Sequence, residues 1–217
     1  MIPSETSKLH KFFGKGRFLY YKKGETILRP GDIPQGAFFL KKGYVRLYSI
    51  CESGKELTLI IFKPEDFFPM MWTFNSSPNT YYLESMTTAE VWRAPKDKFL
   101  QFVKSNPDAL FELTGKILVR LGGLLNRMEY LAFGNASQKV ASILMICAER
   151  FGEKQDNSAI IHIPLTHKDV AMLVGVTRET VSIEIKKLER KGTISYKGRS
   201  IIIKDIRKLQ KESLLNN

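Results

Sequence analysis

The chain changes its hydrophobic period at Asn106-Pro107, and that change limits the folds open to it. Before it, from about Phe18 to Lys98, short apolar runs are broken by glycine and proline: RFLYYKKGETILRPGD, GAFFLKKGYVRLYSI, ESGKELTLIIFKPEDFF and YYLESMTTAEVWRAP. Runs of this length and spacing predict an antiparallel all-β sandwich or barrel. Gly31-Asp32, Gly43 and Ser53-Gly54 fall where turns are needed, since glycine reaches positive φ without a Cβ penalty. After the change, DALFELTGKILVRLGGLLNRMEYLAF sets Leu110, Ile117, Leu124 and Leu131 in one row, interleaved with Leu121 and Met128 and with Thr114. Steps of four and three describe a coiled-coil seam, so a long helix and a dimer interface along that row are expected. A core helix packed on its own β domain is the plainer alternative, and Gly122-Gly123 weakens either version.

Gly134-Asn135 interrupts this helix, and a third section begins at Ala136. SQKVASILMICAERFG reads as an amphipathic helix ending near Gly152, and EKQDNSA as a polar loop. From Leu165 to Arg190 two helices joined by a tight turn are predicted. Thr166 with Asp169 forms a capping-box-like start, His167 to Val174 gives about two turns, Gly175 stops the helix and Thr177 caps the next. In the second helix Val181, Ile185 and Leu188 recur at i, i+4 and i+7 and face inward, which leaves Arg178, Glu179, Ser182, Ile183 and Lys186 outside. Ala171, Gly175 and Val181 supply the small residues a close crossing needs. This is the helix-turn-helix pattern. An exposed Arg-Glu-Ser set at the start of its second helix suits base edges in a major groove, arginine to guanine and glutamate to a cytosine amino group. ERKGTISYKGRSIII then predicts a hairpin around Lys197-Gly198-Arg199, a basic wing suited to phosphate contacts. A solvated charged helix with no partner is the alternative for any one of these features; their agreement favours DNA.

Lys plus Arg outnumber Asp plus Glu by 34 to 22, a net charge of +12, so polyanions are the expected partners, nucleic acid first and acidic membrane second. Cys51 and Cys147 are the only cysteines, without the spacing of a metal site, a redox motif or a disulfide framework. The N-terminal MIPSETSKLHKFF has no apolar core of signal-peptide length and no segment approaches a membrane span, so a cytoplasmic protein with no membrane partner is expected. A metal-dependent enzyme of cupin-like β-barrel type needs a cluster of His and carboxylate ligands, and none is visible; neither an enzyme nor a metal site is expected. A ligand-sensing module that acts on a protein partner is the other alternative, disfavoured by the helix-turn-helix.

GETILRPGD, FFLKKGYVRLY, SGKELTL, LAFGNASQKVASIL and above all LTHKDVAMLVGVTRETVS resemble the Crp/Fnr superfamily of bacterial transcription regulators. The resemblance spans about residues 18 to 205. It implies an α+β chain with an N-terminal antiparallel, jelly-roll-like β-roll over 1–106, a dimerisation helix and hinge over 107–135, and a winged helix-turn-helix over 136–217. It implies a homodimer on a near-palindromic duplex, with RNA polymerase as a further partner. Arg178, Glu179, Ser182 and Ile183 match base-contacting positions, although arginine is usual where Ile183 stands; an isoleucine offers only apolar contact, for example to a thymine methyl. Thr166, His167, Lys168, Thr177, Lys186, Lys197 and Arg199 are the expected phosphate contacts. The dimer seam is expected at Leu110, Ile117, Leu121, Leu124, Met128 and Leu131.

Family β-rolls often hold a cyclic nucleotide, through backbone N–H groups near glycine, an arginine on the phosphate and a carboxylate on the ribose. Here Pro69 and Met70 stand where the family has Gly-Glu, the Arg-Ser pair is absent around Pro78-Asn79, and Leu124 and Leu125 replace polar adenine contacts. No cAMP binding is therefore expected. An iron–sulfur cluster would need the missing N-terminal cysteines, and a haem a β-roll histidine, whereas His10, His162 and His167 are the only histidines. What remains is an aromatic and methionine-rich patch. Phe67, Phe68, Met70, Trp72, Tyr81, Tyr82, Leu124 and Leu125 are the candidate pocket for an unidentified apolar effector, against the alternative that they are packing.

Overall fold

The computed structural model describes residues 8–215; the first residues of the N-terminal segment discussed above, 1–7, lie outside that range. The chain divides into two compact units, Met1–Ile117 and Leu118–Asn217. Among the described residues no helix is long and apolar enough to cross a membrane.

The first unit opens with helix α1 (Lys8–Phe13). Strands β1 (Arg17–Tyr21), β2 (Thr26–Leu28), β3 (Ala37–Lys42), β4 (Val45–Ile50), β5 (Glu56–Phe62) and β6 (Phe67–Phe68) follow, then helix α2 (Met70–Asn75), strands β7 (Tyr82–Ser85) and β8 (Ala89–Ala94), and helix α3 (Lys96–Lys104). Two four-stranded sheets result, in the orders β1-β8-β3-β6 and β2-β7-β4-β5, with antiparallel pairing throughout. Alternation along the strands sends Phe38, Leu40, Val45, Leu47, Phe62, Phe68, Leu83 and Val91 into one core. The next residues along β3 and β6, Phe39 and Phe67, join a second core with Leu9, Phe13, Phe99 and Val103. Adjacent strand residues face opposite ways, so each of the two FF pairs feeds both cores. Gly43 makes the β3–β4 turn at φ +90; a Cβ there would sit 2.2 Å from the Thr88 carbonyl oxygen, so the position needs glycine on two counts.

Helix α4 (Pro107–Phe133) starts with proline, whose missing N–H is no loss at a first helical position. It contributes Ala109 and Leu113 to the second core of the first unit, and buried Arg127 and Tyr130 further on. The division between the units falls inside α4.

The second unit continues with α5 (Ala136–Phe151), β9 (Gly152–Gln155), β10 (Ser158–Ile161), α6 (His167–Val174), α7 (Arg178–Arg190), β11 (Ile194–Lys197), β12 (Ser200–Ile203) and α8 (Ile206–Glu212). The break before α5 is made by Asn135, which caps the helix in a full capping box with Gln138. The four strands form one sheet in the order β11-β12-β10-β9. EKQDNSA, expected as a polar loop, is instead a hairpin: Gln155 pairs with Ser158 across Asp156-Asn157, with Asp156 at φ 49. Glu153, Lys154 and Gln155 are exposed, so this edge strand shows no apolar alternation in the sequence.

Candidate nucleic-acid interface

The helix-turn-helix is built as its sequence requires. Thr166 caps α6 and exchanges hydrogen bonds with Asp169 in both directions, which satisfies N–H groups a helix start would leave bare. Gly175 ends α6 in the left-handed region at φ 69, and the Thr177 hydroxyl accepts from the Thr180 N–H to start α7. Ala171, Val181, Ile185 and Leu188 are buried at the crossing. Their placement leaves Arg178, Glu179, Ile183 and Lys186 exposed and Ser182 half-buried on the opposite face of α7. Ile183 is 56% exposed, an apolar side chain among charged ones.

Thr166, Lys168 and Thr177 are exposed, as are Lys197 and Arg199 on the wing. The wing turn is the two-residue loop Gly198-Arg199 between paired Lys197 and Ser200, with Gly198 at φ 61, a geometry that matches the twist of the strands. His167, expected to face phosphate, is half-buried and already engaged: Nδ1 lies 2.8 Å from Ser182 Oγ and Nε2 lies 3.3 Å from the Tyr196 hydroxyl. Burial, with Glu189 adding to it, pushes the Tyr196 phenol up to about 12. Tyr196 was not singled out in the sequence, where only its place beside Lys197 in the wing run could have marked it. Glu184, also unanticipated, is buried in α7 and accepts from Lys187 at 2.8 Å. Arg127 is buried too, and donates to the Leu173 carbonyl oxygen at the end of α6; burial holds its pKa below the ordinary arginine value.

Within the first unit, the residues expected to line an effector pocket are spread over two cores. Phe67 and Phe68 point to opposite faces of β6 and belong to different cores. Met70 packs on the first of these and Tyr81 on the second. Trp72 lies under the Lys96 ammonium, Tyr82 stacks on Tyr48, and Leu124 and Leu125 belong to the second unit. The first unit does hold a cavity of about 490 Å³, between Arg17, Tyr21, Ile27, Phe38 and Arg93. It was not foreseen, because Arg17 and Arg93 meet only through the β1–β8 register.

The residues of the expected seam differ in exposure. Along α4 the strongly exposed apolar side chains are Phe111 (83%), Leu118 (60%), Val119 (79%), Leu121 (50%), Leu125 (57%), Met128 (66%) and Phe133 (80%). Leu110 is exposed as well, whereas Ile117, Leu124 and Leu131 are half-buried. Phe111, Leu118 and Leu125 thus form a solvent-facing row at seven-residue spacing, and Leu121 and Met128 of the expected seam lie beside it. A strict seven-residue repeat through Phe111, Leu118 and Leu125 was the available signal.

These elements define a class: a two-sheet β-roll, a long helix and a winged helix-turn-helix in one chain. The family model described as the cyclic nucleotide-binding domain matches residues 18–106, and that of the Crp-like helix-turn-helix domain matches residues 138–212. The chain belongs to the Crp/Fnr superfamily, a family of DNA-binding transcription regulators and not of enzymes. It is 28% identical to the global nitrogen regulator of Nostoc sp., over 84% of this chain and 83% of that one. It is 25% identical to the CRP-like cAMP-activated global transcriptional regulator of Mycobacterium tuberculosis, over 89% of this chain and 86% of that one. Its fold is similar to that of a CooA variant from Carboxydothermus hydrogenoformans, with a TM-score of 0.79 at 22% identity, over 95% of this chain and 92% of that one.

Proposed function

We propose that this DNA-binding regulator acts in the cytoplasm as a homodimer on near-palindromic duplex DNA, and that its β-roll works without a cyclic nucleotide. The observation that carries the DNA reading is the exposed face of α7. Arg178, Glu179, Ser182 and Ile183 stand together on a helix held by two capped starts and a left-handed glycine. Thr166, Lys168, Thr177, Lys186, Lys197 and Arg199 surround it as phosphate contacts, which position without specifying; His167 takes a different part. The exposed α4 row supports a dimer, since two such rows bury each other in a coiled coil. RNA polymerase is the protein partner this reading calls for.

The β-roll residues do not fit a cyclic nucleotide. Pro69 offers no N–H, and its carbonyl oxygen is taken by Thr73, from the backbone at 3.1 Å and from the hydroxyl at 2.6 Å. The buried arginine of β4, Arg46, is held by Glu84 at 3.1 and 3.3 Å and by Glu56 at 2.8 Å, and stacks on Tyr48. Two carboxylates already compensate that guanidinium, so a phosphate would have to displace them. The Mycobacterium tuberculosis relative is cAMP-activated by name; that property does not transfer to these residues.

Selection of the purified, ligand-free protein on a randomised duplex library tests both halves of the proposal. Enrichment of a palindrome with half-sites about one helical turn apart is expected. Enrichment only when cAMP is added would overturn the cyclic-nucleotide half, and enrichment of nothing under either condition the DNA half.

A further inference from the structure

The side chains of His167, Ser182 and Tyr196 join three separate elements at the face just described: the start of α6, the middle of α7 and the wing strand β11. Ser182 Oγ also lies 2.9 Å from the carbonyl oxygen of Arg178, one turn back along α7. A serine hydroxyl has one proton and two lone pairs. Two oxygens 2.9 Å apart with no proton between them repel, so the hydroxyl proton belongs on the line to Arg178. That leaves two lone pairs on Ser182, one of which faces His167 Nδ1 at 2.8 Å and is satisfied when Nδ1 carries the imidazole proton.

The same arrangement completes the chain at its other end. With the proton on Nδ1, Nε2 is an acceptor, and the Tyr196 hydroxyl 3.3 Å away donates to it. The Tyr196 phenol, held up to about 12 by burial, keeps its proton for that bond. Tyr196 to His167, His167 to Ser182 and Ser182 to Arg178 then all donate in one direction, and each group is satisfied. The other neutral tautomer reverses the first two bonds and draws the serine proton toward Nδ1, leaving nothing on the line to Arg178. In either tautomer the serine proton is engaged inside the protein.

We infer that His167 fixes Ser182 as a hydrogen-bond acceptor toward DNA, so that this position of the half-site is restricted to a base with an exposed amino group, adenine or cytosine. In the major groove adenine N6 and cytosine N4 donate, while guanine O6 and thymine O4 only accept. A serine free to turn could serve either kind, which is why serine alone is a weak reader. His167 removes that freedom by holding the side chain where Oγ meets both Nδ1 and the Arg178 carbonyl. It is a positioning residue, and Tyr196 orients it from the wing. The inference rests on the DNA reading given above.

The test is selection on one randomised duplex library with four proteins: wild type, Ser182→Ala, His167→Leu and His167→Asn. The asparagine amide can replace the Nδ1 donor, and leucine cannot. In the wild-type site one position per half should favour, on the strand that faces Ser182, adenine or cytosine about fivefold over guanine or thymine, the worth of one neutral hydrogen bond. Ser182→Ala should abolish that preference, His167→Leu should reduce it below about twofold at the same position only, and His167→Asn should retain it. A circular-dichroism melt of each variant checks folding, and Ser182→Ala, at a half-exposed site, keeps the position assignable if His167→Leu does not fold. The inference is overturned if Ser182→Ala leaves the preference at every position unchanged, or if His167→Leu weakens all positions evenly, as loss of a phosphate contact would. It is overturned too if His167→Asn behaves as leucine does. If the wild type enriches no site at all, the DNA reading has failed, which is a different result from any of these.

Discussion

Replacing Leu118 and Leu125 together by alanine should convert a dimer into a monomer at ordinary working concentrations. In the single chain these side chains are 60% and 57% exposed. Burying a whole leucine side chain stabilises by about 1.5–3 kcal/mol, so covering the exposed three-fifths is worth ~1–2 kcal/mol each. Two-fold symmetry counts every position twice, giving ~2–4 kcal/mol per position and ~4–8 kcal/mol for the pair. Alanine keeps a small part of that. The dimer Kd should then rise by about three orders of magnitude or more, at about 1.4 kcal/mol for each factor of ten. Sedimentation velocity over a concentration series reads the change directly. Far-ultraviolet circular dichroism of the variant should stay that of the wild type, since the substitutions remove surface leucines and not the Leu113 or Tyr130 contacts. A wild type that sediments as a monomer at about 100 µM, or a double variant with an unchanged Kd, would refute the argument from the exposed row.

Gly175→Ala places a Cβ at φ 69 and should destabilise the second unit by about 1–2 kcal/mol, read from its transition in chemical denaturation. Thr177→Ala removes the α7 cap and should cost about 1 kcal/mol in the same assay. Ile183→Arg should change the selected base at a single half-site position and leave its neighbours alone; an identical selected site would show that this side chain does not face the groove. The two thiols should differ with pH. The Ser53 hydroxyl beside exposed Cys51 holds its thiol below the ordinary value, so its reaction with Ellman's reagent should set in at a lower pH than that of a free thiol. Burial pushes Cys147 up to about 12, and it should stay silent at pH 8 until the protein unfolds; two equally reactive thiols in the native protein would contradict this.

What the sequence made legible was whatever depends on neighbours along the chain. The caps at Thr166 and Thr177, the stop at Gly175 and the inward row Val181, Ile185 and Leu188 are local in origin, and the structure has them where the sequence puts them. The β-type runs of the first unit were legible for the same reason. Features that need a partner from elsewhere were not. Phe67 and Phe68 look like one aromatic patch when written in order, but strand geometry sends them to separate cores. His167 looks like a phosphate ligand beside Lys168 until the fold brings Ser182 and Tyr196 to its two ring nitrogens. On α4 leucines are so frequent that several rows satisfy the same spacing, and the sequence alone does not say which of them faces solvent. Burial of Ala109, Leu113, Arg127 and Tyr130 decides which row is left outside. The β9–β10 hairpin was missed because its outer strand is polar on both faces, a pattern that reads as a loop.

The central claim is that this chain reads a specific duplex site without cyclic nucleotide. The most direct measurement is the anisotropy of a labelled duplex carrying the selected palindrome, titrated with ligand-free protein at several salt concentrations beside a scrambled duplex. The account predicts at least a ~10³-fold tighter Kd for the palindrome at physiological salt. For both duplexes, affinity should fall as salt rises, along a straight line in logarithmic coordinates. Equal Kd values for palindrome and scramble, or a preference that appears only with cAMP present, would contradict it.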